Sequence, residues 1–217
     1  MCNRYERPSL EEIVVDFDAG VSRAFNAGPE TVHPRDPGFV VLERDGRRVV
    51  EQMTWGFPVR LKGSASPRPV NNARFDKLTA FWRRWAEAPQ QRCLIPCRRF
   101  AEAVGETGRM TETWLSPKGE RTFAWAGLWQ SSAEWGDCYT GVMTDAAPEL
   151  MEIHDRCPVI PAPSEWKLWL SAPLGDLRRF DRPWPAKHMH VEATDRRWSR
   201  RGAGEGSGLD GQRSLFP

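Results

Sequence analysis

No apolar run in the 217 residues approaches the length of a membrane-spanning helix. The first residues, Met-Cys-Asn-Arg-Tyr-Glu-Arg, are charged from the start and lack the apolar stretch of a secretory signal. The chain is therefore expected in the cytoplasm, associated with the nucleoid. A surplus of one charge is missing too: 31 basic residues face 29 acidic ones, a net +2. That excludes the bulk charge of a histone-like protein and leaves room for a local basic groove. Cysteine is too scarce, and odd in number, for a disulfide framework. The five are Cys2, Cys93, Cys97, Cys138 and Cys157, with no export signal to accompany them. Cys93 and Cys97 lack a second pair at zinc-knuckle spacing; His188 and His190 are the candidates to complete such a site. Buried free thiols are the expected reading.

What is present fits one domain, large enough to bury a core without staples. Eleven tryptophans are many for this length. Most are expected in the core; the alternative use is as stacking platforms for bases. Ser9-Leu10-Glu11-Glu12 is a capping-box signature opening a helix with Ile13, Val14 and Phe17. Residues 20–37 and 58–72 read as loops. Asp45-Gly46 between Phe39–Leu42 and Val49–Trp55 marks a hairpin. Leu78, Phe81, Trp82 and Trp85 have helical spacing, predicting a helix from Phe75 to Ala88. Short strands are expected at Cys93–Pro96, Thr113–Leu115, Thr122–Trp129, Tyr139–Met143 and Val159–Ile160, with a turn at Pro117-Lys118-Gly119. Ser164 opens a further short helix through Leu170. The fold class is α+β, a mainly antiparallel barrel-like sheet with a few flanking helices. The domain is placed at residues 1–194, and residues 195–217, rich in Arg, Gly, Ser and Asp, are expected to be a disordered tail.

Cys2 carries distinctive chemistry. Removal of Met1 would put an α-amine and a thiol on one residue, with reference pKa values of about 7.7–8.0 and about 8.5. Near neutral pH both are partly deprotonated. Such a residue can form an imine with an aldehyde through nitrogen and then close through sulfur to a thiazolidine.

Further segments keep this cysteine company. Met-Cys-Asn-Arg-Tyr, Thr54-Trp55-Gly56-Phe57, Asn72-Ala73-Arg74, Arg92-Cys93-Leu94-Ile95-Pro96 leading to Glu102, and Ile153-His154-Asp155-Arg156-Cys157-Pro158-Val159 occur in that order. Together they resemble the SRAP family (SOS response-associated peptidase), the abasic-site processing proteins. The resemblance spans residues 1 to about 170. It implies that Cys2 crosslinks to abasic sites in single-stranded DNA, with lyase and self-processing peptidase activities as corollaries. Asn72 would hold the amine or the opened sugar, Glu102 would act as general acid/base, and His154 would move protons on the sugar oxygen. Arg4 and Arg74 would bind flanking phosphates, and Trp55 would stack on a base. The partner is single-stranded DNA containing abasic sites, with no membrane; no metal or organic cofactor is needed, and a monomer is expected. The segment Phe100-Ala101-Glu102-Ala103, Cys157 in place of a Met, and residues Pro183 to Val191 depart from the family pattern. Two other classes stay open: an N-terminal-nucleophile cysteine hydrolase of the peptidase or glutamine amidotransferase type, and a non-covalent single-strand binder.

Overall fold

The computed structural model describes residues 2–21, 23–26, 28–60 and 66–199. Fifteen strands appear among them: β1 (Tyr5–Glu6), β2 (Ala19–Val21), β3 (Thr31–Val32), β4 (Pro37–Arg44), β5 (Arg47–Trp55), β6 (Phe57–Val59), β7 (Arg68–Val70), β8 (Asn72–Arg74), β9 (Arg92–Cys97), β10 (Arg99–Val104), β11 (Thr111–Pro117), β12 (Phe123–Ser132), β13 (Gly136–Asp145), β14 (Arg156–Pro158) and β15 (Met189–Arg197). Three short α-helices accompany them: α1 (Leu10–Asp16), α2 (Arg83–Ala86) and α3 (Trp166–Ser171).

The α+β, mainly antiparallel architecture expected from the sequence is present. One sheet has the order β15-β11-β10-β1-β3. The larger runs β14-β13-β12-β9-β4-β5-β2, with β8 added alongside β13. Two parallel residue pairs, Cys138 with Thr54 and Tyr139 with Trp55, join β13 back to β5. Strands β13, β12, β9, β4 and β5 thereby form a ring that stops short of a closed barrel.

Local chemistry explains the elements that matter. Ser9 caps α1 as its motif predicts: the hydroxyl accepts from Glu12 N–H (3.2 Å) and the Glu12 carboxylate accepts from Ser9 N–H (2.8 Å). Asp45 and Gly46 both take positive φ, 51° and 73°, as a two-residue hairpin turn between β4 and β5 requires. Gly38 is needed for close approach, because a Cβ there would collide with the hydroxyls of Tyr5 and Tyr139.

The tryptophans mostly fill the interior. Trp55, Trp82, Trp125 and Trp169 are fully buried. Three of them still satisfy the indole N–H, on Asn71 O (3.1 Å), Val142 O (2.9 Å) and Cys93 O (2.9 Å) respectively for Trp55, Trp125 and Trp169. Cys93 and Cys97 are buried free thiols. Arg92 is buried as well and ties β9 to the end of α3, donating to the carbonyls of Trp169 (3.1 Å) and Ala172 (2.6 Å). Helix C-terminal carbonyls suit a cation, and burial lowers this guanidinium to about 10.

Several expectations change. The helix predicted from Phe75 to Ala88 breaks into a 3₁₀ turn at Phe75–Lys77 and the short α2. Packing wins over periodicity here: Trp82 and Trp85 turn onto Phe57, 5.7 and 5.5 Å between ring centroids, and Phe81 is left 43% exposed. The stretches read as loops contain β2, β3, β6 and β7. The turn after β11 hands the chain from one sheet to the other rather than closing a hairpin, since β11 pairs with β10 and β15 while β12 pairs with β9 and β13. Val159–Ile160 is not a strand; β14 ends at Pro158. At the far end β15 continues to Arg197, into the stretch expected as tail, and residues 200–217 lie outside the described residues.

Candidate active site

Two strand pairings bring the site together. β1 runs antiparallel to β10, with Tyr5 opposite Phe100 and Ala101 N–H donating to Arg4 O (2.9 Å). Extending that register sets Cys2 and Asn3 alongside Glu102. On the other side β8 runs parallel to β13, with Asn72 opposite Gly141, and Gly141 N–H donates to Asn71 O (3.0 Å). This delivers two carboxamides to the same oxygen: Asn71 Nδ2 and Asn72 Nδ2 each donate to Cys2 O at 2.7 Å. Asn71 Nδ2 also reaches Asn3 Oδ1 (3.0 Å). Asn72 Oδ1 is buried without a hydrogen-bond partner among the described residues, which is costly unless a ligand or a freed amine completes it.

Cys2 is fully buried, and its thiol donates to Arg4 O (3.4 Å). Burial, with the charge of Glu102 adding to it, pushes this thiol well above its ordinary value. Glu102 is 3% exposed, and desolvation raises its carboxyl to about 7. It thus changes protonation near neutrality, as a general acid/base should. His154 lies on the segment leading into β14, whose Cys157 sits beside Glu102. Burial lowers the His154 imidazole to about 4, so it is neutral at pH 7. Its Nδ1 accepts from Arg156 N–H (2.9 Å), which places the remaining ring proton on Nε2. Asp155 Oδ1 is also 2.9 Å from Nδ1, a contact that becomes an ion pair only on protonation.

Cys2, Asn72 and Glu102 are therefore brought together, with His154 entering on the adjoining segment. The residues expected to contact DNA fare differently. Trp55 is fully enclosed, edge-on to Tyr5 and Trp125 at 5.1 and 5.9 Å between ring centroids. Arg4 also lies inside the protein. Only 5% exposed, it donates to Glu112, to His33 Nε2 (3.1 Å) and to Ser199 O (2.8 Å), and stacks under Trp198 at 4.4 Å. Its donors are committed inside the protein rather than turned toward a phosphate. Arg74 is partly exposed, and Asp76 holds it through both oxygens, at 2.9 and 2.7 Å. Sequence reasoning missed Asn71, although it stands beside Asn72 in an Asn-Asn pair that was a visible signal.

The family model for SOS response associated peptidase (SRAP) matches residues 1–197. The chain belongs to the SRAP family. Among solved structures, a protein from Bordetella bronchiseptica is 26% identical, with a TM-score of 0.75, covering 89% of this chain and 99% of its own. A protein from Bacteroides thetaiotaomicron is 16% identical, TM-score 0.72, covering 88% and 91%. A phage-related protein from Bordetella bronchiseptica is 18% identical, TM-score 0.68, covering 89% and 94%. The last two carry the fold alone. No protein among the curated sequences matches the chain. SRAP membership supports a function associated with DNA damage. Among the described residues no helix is long and apolar enough to cross a membrane.

Proposed function

We propose that this SRAP protein captures abasic sites in single-stranded DNA through Cys2, once Met1 has been removed. The observation that carries the reading is the buried Cys2 with its carbonyl held by Asn71 and Asn72 beside a carboxyl poised at about 7. The amine acts first, because the raised thiol stays protonated and a neutral thiol is a weak nucleophile. The amine lone pair attacks the aldehyde carbon of the opened sugar and forms a C–N bond. Protonated Glu102 donates to the carbinolamine hydroxyl, which leaves as water; the iminium so formed returns its nitrogen proton to the Glu102 carboxylate and becomes the imine. Cys2 Sγ then adds to the imine carbon, its proton passes to the nitrogen, and a thiazolidine results. Neutral His154, with its ring proton on Nε2, hydrogen-bonds through that N–H to the sugar oxygen as the ring opens. Closure through sulfur removes the imine that would otherwise promote β-elimination of the 3′ phosphate.

A single strand is the favoured substrate because extruding an abasic sugar from a duplex costs a few kcal/mol. The protein would act as a monomer in the cytoplasm, on the nucleoid, shielding lesions until repair. The pair of amide donors resembles an oxyanion hole, yet it is filled by the chain's own Cys2 carbonyl, which favours positioning of the nucleophile over peptide hydrolysis. The test is a denaturing gel of protein mixed with a single-stranded oligonucleotide bearing one abasic site. A heat-stable shifted band requiring both the lesion and Cys2 is expected. Its absence from protein that mass spectrometry shows to lack Met1 would refute capture.

A further inference from the structure

We infer that Asn71 is a positioning residue for this reaction: with Asn72 it fixes the Cys2 carbonyl and favours the unprotonated form of the Cys2 α-amine. The inference rests on the proposed capture by Cys2 and adds a residue and a control on protonation to it.

The geometry is specific. Asn71 is 2% exposed, and a carboxamide so deeply buried needs partners for its donors. Its Nδ2 serves the Cys2–Asn3 segment, at Cys2 O (2.7 Å) and Asn3 Oδ1 (3.0 Å). The Asn71 backbone is held independently, its carbonyl accepting from Trp55 Nε1 (3.1 Å) and Gly141 N–H (3.0 Å). Asn71 is thus a rigid mount, and what it mounts is the nucleophilic residue.

Two consequences follow from two N–H donors on one carbonyl oxygen. The first is orientation: the peptide plane after Cys2 is fixed, and with it the direction in which amine and thiol leave Cα. Both must reach one aldehyde carbon for a five-membered ring to close. The second is electrostatic. The donors point the positive ends of their dipoles at an oxygen one residue's reach from the amine, which disfavours the ammonium form. An α-amine is ordinarily half-protonated at about 7.7–8.0, so even a modest push raises the reactive fraction at neutral pH. Asn72 Oδ1, the other end of that carboxamide, is buried and unpartnered among the described residues.

The titratable groups around the amine come from several elements: Tyr5 on β1, Cys97 on β9, Glu102 on β10, and His154, Asp155 and Cys157 on and before β14. Ionised Glu102 favours the ammonium form and opposes the two amides. Asn71→Leu adds no titratable group to these, so a shift in its pH profile reports the amide.

The test uses full-length protein lacking Met1 and two near-isosteric variants without the Nδ2 donors, Asn71→Leu and Asn71→Asp. Adduct formation is followed by mass spectrometry across pH with two probes, propanal and an abasic single-stranded oligonucleotide. The expected result is a midpoint of the pH–rate profile raised by about half a unit in Asn71→Leu and further in Asn71→Asp, which adds a negative charge. The rate at pH 7 falls to about a third or less of wild type, since fewer amines are unprotonated. Unmoved midpoints in whichever variants fold, with wild type capturing both probes, overturn the inference and leave capture standing. Wild type that reacts with propanal and not with the oligonucleotide fails the DNA reading, while the Asn71 shift is still read with propanal. Wild type inert to both probes overturns both.

Discussion

At Cys2 buried polar groups hold capacity in reserve, whereas at Arg4, Arg74 and Arg156 the charge is already committed. In the floor, Asn72 Oδ1 awaits a donor, Glu102 is poised at about 7 and His154 is neutral. Among these arginines, Glu112 holds Arg4, Asp76 holds Arg74, and Asp145 holds Arg156. The difference separates two tasks. Chemistry needs groups preorganised where charge moves. DNA binding can instead proceed by exchange, a phosphate displacing a carboxylate from its arginine. Such an exchange would be cheap at Arg74 or Arg156, whose partners are 44% and 74% exposed, since solvent-exposed pairs are worth about 0–1 kcal/mol. Arg4 and Glu112 are both under a tenth exposed, and that pair belongs to the framework.

The largest effect expected is at the floor. Cys2→Ala and Cys2→Ser both abolish the stable, untrapped product, and both keep an amine that forms an imine trappable by borohydride without ring closure. A stable, untrapped Cys2→Ser adduct would show that the thiazolidine is not the product. Next is the framework pair. Glu112→Ala leaves Arg4 buried and uncompensated and is expected to cost about 3–5 kcal/mol of stability, read in denaturant melts. A loss below 1 kcal/mol would place Arg4 with Arg74 and Arg156 as an exchangeable cation rather than in the framework.

A smaller effect tests the reserve itself. Glu102 holds its proton more tightly folded than unfolded, so its contribution to stability is complete below the ordinary carboxyl range and is lost as pH rises through about 7. His154 runs the other way: its folded value of about 4 lies below the ordinary 6.5, and its contribution is lost as pH falls between them. Glu102→Gln is expected to recover stability on the alkaline side, on the order of 3 kcal/mol at most from a shift of this size. Melting temperatures at about pH 5 and about pH 8.5 would show the gap narrowing in the variant; an unchanged gap would mean that Glu102 is not held protonated by burial.

The floor was more legible in the sequence than the arginines. Cys2, Asn72 and Glu102 are residue types tied to a chemistry, and their motifs stand in order along the chain. The capping box at Ser9 and the hairpin at Asp45-Gly46 were legible for a related reason: their hydrogen bonds span three residues or fewer. Arg4 shows the limit. Its partner Glu112 lies 108 positions away, and nothing local to either residue says that β11 will bring them together. Trp55 shows it again. Its motif marks a strand end, and only the pairing of β5 with β13 decides that the ring points inward. Asn71 was hidden because one Asn of a pair already had a role.

The smallest effect bears most directly on exchange at these arginines. Arg74 presents Nε and Nη2 to the two oxygens of Asp76, the fork a phosphate would use. While Asp76 remains ionised it competes with DNA for that fork and cancels the charge that would release counterions. Asp76→Asn removes the competitor and keeps the shape. Non-covalent affinity for an intact single strand is expected to rise about two- to fivefold at low salt, with the salt slope steepened by up to about 0.7 for one added phosphate contact. Arg74→Ala in the same background should return the slope to its original value. Were Asp76→Asn to bind no more tightly at any salt concentration, Arg74 would not be meeting phosphate at all. The exchange would then rest on Arg156, and Asp145→Asn would be the substitution that carries the effect.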